Sequence, residues 1–139
     1  MDHWSRLEAE RAFIAAHRAR RRAAAIARLR RFGRTICGLP VYDEAIARRA
    51  GERGLREIPL ERIAGTTEPN RAAQFDQEFR PTAQTRCRWE RVWMAFHRGI
   101  TLPPISVVPV GDGYAIRDGH HRVSVAKALG APTINAIVA

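Results

Sequence analysis

Asp118-Gly119-His120-His121-Arg122 is the stretch of this chain whose residue types could do chemistry. It follows an apolar strand end, Tyr114 to Ile116, and opens an amphipathic run that stops at Gly130. A strand-to-helix junction of this kind exposes unpaired backbone N–H groups and the positive end of a helix dipole. Gly119 lets an anion approach the backbone, and Arg122 is placed to close on it from the side. The chemistry expected is the holding of an anion, in the first place the phosphates of a nucleotide.

Each residue of the turn also has a plainer role. Gly119 suits a strand-to-helix turn with or without a ligand. Asp118 is most simply the N-cap of the helix. As a full cap it would compete with a bound anion, so the alternatives are that it orients His120 or His121, or helps to hold a metal on the phosphates. The adjacent His120 and His121 point in different directions, so they are not expected to share a metal. One is expected to face the phosphate and the other to pack on the scaffold. The dipole biases a histidine there toward the neutral form, so anion binding is expected to tighten as the pH falls from 8 to 6. Lys127, two turns into the helix, reads as a solvated residue.

The elements that must position this turn follow from periodicity and punctuation. Residues 102–110 read as a strand entered through Pro103 and Pro104. Gly111-Asp112-Gly113 reads as a hairpin turn and 114–117 as the return strand. A helix over 120–129 and a last strand over 133–138 complete the C-terminal half. Upstream, 88–98 reads as a helix whose Trp89, Val92, Trp93 and Phe96 make an apolar stripe, with Gly99 as its stop. Residues 57–63 suggest a short strand and turn, 65–71 a loop, and 43–53 a short helix.

Residues 4–32 contain strong helix formers without glycine or proline, which predicts one long helix stopped at Gly33. Leu7, Ile14, Ala25, Leu29 and Phe32 fall on one stripe, together with Arg11, Arg18 and Arg22. The helix is therefore expected to dock by its two ends, with polar middle turns. Those arginines are either a solvated face or a surface that tracks phosphates.

The 139 residues carry a net charge of +10, from 24 basic and 14 acidic side chains. Ten arginines against Asp2, Glu8 and Glu10 place +7 of it in residues 1–34, so the basicity belongs to an N-terminal arm. Such an arm is a common way to contact DNA or another acidic surface. Cys37 and Cys87 form no disulfide framework or metal spacing, and no apolar run is long enough to span a membrane. The N-terminus lacks the apolar core of a secretory signal. These features point to a soluble cytoplasmic protein without a bound metal.

The order of these pieces resembles the ParB/sulfiredoxin superfamily over roughly residues 58–138. The resemblance rests on Ile58-Pro59-Leu60-Glu61-Arg62-Ile63 as opening strand, Leu102-Pro103-Pro104-Ile105-Ser106-Val107 as middle strand, and Asp118-Gly119-His120-His121-Arg122 as phosphate turn. Phe75-Asp76, Phe79-Arg80-Pro81 and Arg88-Trp89 are similar to an uncharacterised bacterial subgroup of ParB-like proteins. The resemblance implies an α/β (strictly α+β) fold, a small mixed-sheet domain over 57–139 that binds a nucleoside triphosphate, CTP or ATP, with or without magnesium. A helical connector over 35–56 and the basic helical arm over 1–34 precede it. The implied phosphate-binding set is Asp118, Gly119, His120, His121 and Arg122. Arg71 is added as a second phosphate contact, and Glu68 is a conceivable general base.

Within that superfamily the turn helps to choose. His120 stands where a sulfiredoxin carries its nucleophilic cysteine, so the thiol chemistry is not expected. Gly119 to Arg122 also departs from the Gly-Glu-Arg-Arg of a ParB clamp, and no helix-turn-helix segment follows Val138. The turn is closer to that of free-serine kinases, although no catalytic carboxylate stands out. Two functions are thus expected to compete. One is a DNA-associated or regulatory module that binds nucleotide, contacts DNA through Arg11, Arg18 and Arg22, and pairs as a homodimer. The other is a small nucleotide-dependent phosphotransferase or hydrolase.

Overall fold

Alternating burial along Ile105, Val107 and the facing Ile116 sets one side of a sheet against helices. The computed structural model describes residues 3–30, 38–44 and 53–139. Its elements are α1 (His3–Arg30), β1 (Gly54–Pro59), β2 (Ile63–Thr66), α2 (Pro69–Ala72), α3 (Arg86–His97), β3 (Ile105–Val110), β4 (Gly113–Asp118), α4 (His120–Ala128) and β5 (Thr133–Val138). The fold is mixed α+β, with a five-stranded sheet in the order β1-β5-β3-β4-β2. β3 and β4 form an antiparallel hairpin, while β2 runs parallel to β4 and β5 parallel to β3. β1 closes the far edge antiparallel to β5.

The segment expected as one strand and turn over 57–63 is two strands. Leu60–Arg62 makes a single 3₁₀ turn that ends β1 and starts β2 on the opposite edge of the sheet. Gly65 and Thr66, read from sequence as loop, belong to β2. Their place is fixed by a close approach: a Cβ on Gly65 would lie 2.3 Å from the carbonyl oxygen of Pro40. Residues 38–42 run alongside that edge, with Thr66 N–H donating to Pro40 and Tyr42 N–H to Thr66. The helix expected over 43–53 lies, for residues 45–52, outside the described residues, as do Cys37, Phe32 and Gly33.

The main core joins Ile58, Leu60 and Ile63 to Phe75, Phe79, Ile105, Val107, Ile116 and Val123. A second cluster lies one layer further out, where Ala9 and Phe13 of α1 meet Trp89, Trp93 and Val125. This corrects the docking expected for the basic helix. α1 packs through the Ala9–Phe13 side of its first half, with Ala12 and Ala16 beside it, and not through its two ends. Leu29, expected on the packing stripe, is 85% exposed, and Ile14 and Ile26 are exposed as well. The reason is shape: small alanines around one aromatic let α1 lie close to two tryptophans, where larger side chains would hold it away. His97 and Glu8 pair at 3.1 Å across the same joint, and His17 Nδ1 lies 3.1 Å from the Pro81 carbonyl oxygen. Arg11, Arg18 and Arg22 face solvent.

Candidate anion site

Gly119 makes the turn between β4 and α4 by adopting φ +112°. An L side chain is strained at that angle, and a Cβ there would sit 2.4 Å from Ile105 Cγ2. Glycine is required here by the backbone and by the packing of α4 on the start of β3. The turn delivers His120 and His121 into the first turn of the helix, where both are buried.

The capping role expected of Asp118 is not what the structure has. Gly119 occupies the cap position without a side-chain hydrogen bond to the helix. Asp118 Oδ2 instead accepts from Arg122 Nη2 at 3.2 Å. A glycine cap has no side-chain oxygen to offer, and the acidic side chain is drawn to the guanidinium one turn on. The amides of the first turn of α4 therefore lack both an intrahelical acceptor and a side-chain cap.

Arg122 is similarly committed. Its Nη1 donates to the carbonyl oxygens of Pro103 and Pro104, the latter at 3.1 Å. The proline pair that leads into β3 is thus clipped to α4. Proline has no N–H, so these carbonyls are the polar groups the segment can offer.

The two histidines are held differently. His120 Nε2 lies 2.6 Å from Thr66 Oγ1, at the end of β2. The same hydroxyl accepts the Glu68 amide at 2.8 Å and donates to the Ile116 carbonyl at 3.2 Å. With its one proton so directed, it takes the Nε2–H of a neutral His120. His121 stands edge-on to Phe75, with centroids 5.2 Å apart, and among the described residues neither of its ring nitrogens has a hydrogen-bond partner.

Burial pushes both histidines down to about 4. For His120 the Arg71 guanidinium adds to burial, and Asp118 opposes it. For His121 the next causes are Arg88 and then Arg71. Both rings are neutral near pH 7. In the empty site neither ring titrates between pH 8 and pH 6.

Arg71, Arg88, Val92 and the Asp118–Arg122 turn line one cleft of about 160 Å³. The structure therefore brings together every residue expected of the phosphate turn, and Arg71 from α2 joins them. Glu68 is exposed and does not border the cleft, and Lys127 lies over the Phe79 ring at 5.1 Å. Arg11, Arg18 and Arg22 are on α1 and do not line this cleft. Two participants went unread in the sequence, Arg88 and Thr66. Arg88 was visible as a cation preceding an apolar stripe by one position, a weak signal. Thr66 carried none, because its role depends on the parallel pairing of β2 with β4.

In chemical terms the cleft joins three guanidinium groups, an open helix N-terminus and two neutral imidazoles, against the single carboxylate of Asp118. That is a set for phosphate-like anions. A magnesium ion riding on such phosphates would find one protein oxygen donor there, Asp118, which fits a metal held mainly by phosphate and water. Among the described residues no group of three or more His, Cys, Asp or Glu is placed to bind a metal by itself. Cys87 is a free, exposed thiol on α3 and does not line the cleft. No helix among the described residues is long and apolar enough to cross a membrane.

Compared with known proteins, the chain matches no family model and no curated sequence. It is similar to the crystal structure of sulfiredoxin from Arabidopsis thaliana, with a TM-score of 0.43 and 26% sequence identity, over 61% of this chain and 83% of that one.

Proposed function

We propose that this chain is a nucleotide-binding domain of ParB/sulfiredoxin type, holding the phosphates of CTP or ATP in the cleft at the start of α4. The observation that carries this reading is the uncapped first turn of α4 facing Arg71 and Arg88 across a small cleft. Unpaired amides and guanidinium groups converging on one space are what a phosphate needs, and little else would relieve their mutual repulsion. The order of motifs around Gly119, from Ile58 through Pro104 to Arg122, supports the superfamily.

The exposed Arg11, Arg18 and Arg22 on α1 support a second part of the proposal, contact with DNA phosphates. The module reading is favoured over a phosphotransferase or hydrolase because Asp118, the one carboxylate lining the cleft, is tied to Arg122. An enzyme would want a free base there.

Calorimetric titration of the full chain with ATP and CTP, with and without magnesium, tests the core of this. Saturable binding without release of phosphate is expected. Absence of binding to either nucleotide at millimolar concentration would overturn the reading, and turnover would move it to the enzyme class.

A further inference from the structure

The stripe expected to dock α1 exists on the helix, but it faces away from the body. Ala9, Phe13 and Ala16 pack inward against Trp89 and Trp93 of α3. Leu7, Ile14, Ala25 and Leu29 fall on the opposite side, where Leu7 is half-buried and the other three are exposed. Trp4 begins the same stripe at 74% exposed, and Leu29 ends it at 85%. Positions eleven apart return to nearly the same angle after three helical turns. Leu7, Arg18 and Leu29 are so related, as are Arg11 with Arg22 and Ile14 with Ala25. Exposed apolar residues scattered singly are ordinary on a protein surface. A row of them in helical register, roughly 40 Å long, reads as an interface.

The pattern within the row selects its occupant. Trp4 and Leu7 hold one end, Ile14 the middle and Leu29 the other end, with Arg11, Arg18 and Arg22 between them. α1 carries eight arginines against two glutamates, and residues 11–30 contain no acidic side chain. A second copy laid along this face would set arginines against arginines. Duplex phosphates would take the arginines and leave Trp4, Ile14 and Leu29 in water. A membrane surface would take the apolar residues and force the central arginines into its acyl boundary. A surface that alternates apolar and acidic side chains satisfies both kinds of residue at once.

We propose that the outward face of α1 is a docking site for an amphipathic helix of a partner protein, one whose apolar stripe is interleaved with Asp or Glu. The apolar ends of the row act as anchors, and the arginine–carboxylate pairs fix the register and turn basic partners away. None of these residues lines the cleft at Gly119, so the docking site needs no nucleotide there. Arg11, Arg18 and Arg22 are shared with the DNA contact proposed above, so the partner helix and DNA exclude one another on this face.

Fluorescence anisotropy on the full chain tests the docking site with a labelled synthetic peptide. The probe is a leucine/glutamate helix as long as α1, made in both chain directions. Leucine is placed to meet Leu7, Ile14 and Leu29, and glutamate to meet Arg11, Arg18 and Arg22. One control carries lysine for each glutamate, and a second has the same residues shuffled off the stripe. In at least one direction the acidic probe is expected to bind about tenfold more tightly than both controls. R11Q/R18Q/R22Q and I14Q/L29Q should each weaken it about tenfold, with melting temperatures near wild type because these side chains lie outside the core. Equal binding of the acidic probe and its controls overturns the proposal, as does wild-type affinity in I14Q/L29Q. So does a dimer in sedimentation equilibrium that I14Q/L29Q dissociates. Binding to vesicles of equimolar phosphatidylglycerol and phosphatidylcholine that the same variant abolishes would overturn it as well. The measurement uses no DNA, so a chain that binds the acidic probe and not duplex DNA supports the docking site and removes the DNA contact.

Discussion

Thr66 and His120, 54 positions apart in the chain, share a hydrogen bond of 2.6 Å that ties the end of β2 to the first residue of α4. The bond is buried and the hydroxyl is at the centre of a small network that includes the Glu68 amide and the Ile116 carbonyl. It sets the imidazole's orientation at the mouth of the cleft. Thr66→Val keeps the shape and strands two polar groups, the Glu68 amide and His120 Nε2, while the Ile116 carbonyl keeps the Thr67 N–H. The expected loss is about 1–3 kcal/mol of stability, read from chemical denaturation. An unchanged midpoint would mean the network carries no weight.

Gly119 offers a sharper case. Ala at this position meets both an unfavourable φ of +112° and the Ile105 side chain 2.4 Å away. Gly119→Ala should cost on the order of 2–4 kcal/mol, combining backbone strain with overpacking. Adding Ile105→Val to the variant relieves the contact but not the backbone strain, so a partial recovery in melting temperature is expected. Full recovery would show that sterics alone hold the glycine.

Acid should destabilise the fold earlier than its carboxylates alone would. His120 and His121 are pushed from 6.5 down to about 4 by burial, so the unfolded chain takes up protons that the native state refuses. Their contribution to stability is complete above pH 6.5 and is lost as the pH falls from there toward 4. Melting curves between pH 7.5 and 5 should show a decline that H121F reduces. A bound phosphate should also reduce it, because an anion raises both histidines. A flat profile in wild type would contradict the neutral, buried pair.

On α1, Phe13 seals the joint with Trp89, their ring centroids 5.6 Å apart, and Arg86 sits over the Phe13 ring. Phe13→Ala should cost about 3–5 kcal/mol in the two-state unfolding of the full chain. Replacing Arg11, Arg18 and Arg22 together with Gln should leave that stability nearly unchanged while lowering retention on duplex DNA and its steep dependence on salt. These variants are a cleaner test of the basic helix than its deletion, which would uncover Trp89 and Trp93.

Much of this was legible in the sequence because it was local. Residues 133–138 form a strand as expected, the helix over 120–129 closes one residue earlier, and the hairpin at Gly111 has the expected turn. The turn Asp118–Arg122 could be read from a glycine between a strand pattern and a helical one. What escaped was non-local. The 3₁₀ turn at Leu60–Arg62 sends β2 to the opposite edge of the sheet, and periodicity in so short a segment cannot report that. The packing face of α1 was misread because alanine beside an aromatic counts little in hydrophobic patterning and much in close packing. Asp118 was given to the helix by propensity, when a guanidinium one turn away competed for it.

The bonds that frame the cleft also bear on how the chain reaches its native state. Thr66 to His120, Trp89 to Ser124 and Ser124 to Phe79 span 54, 35 and 45 positions. Contacts of that separation reward folding only after long loops have closed. The site is consequently a late product of assembly, complete once β2 has crossed to β4 and α4 has settled beneath α3. A ribosome-bound chain halted before residue 120 would display Trp89 and the paired phenylalanines without the helix that covers them.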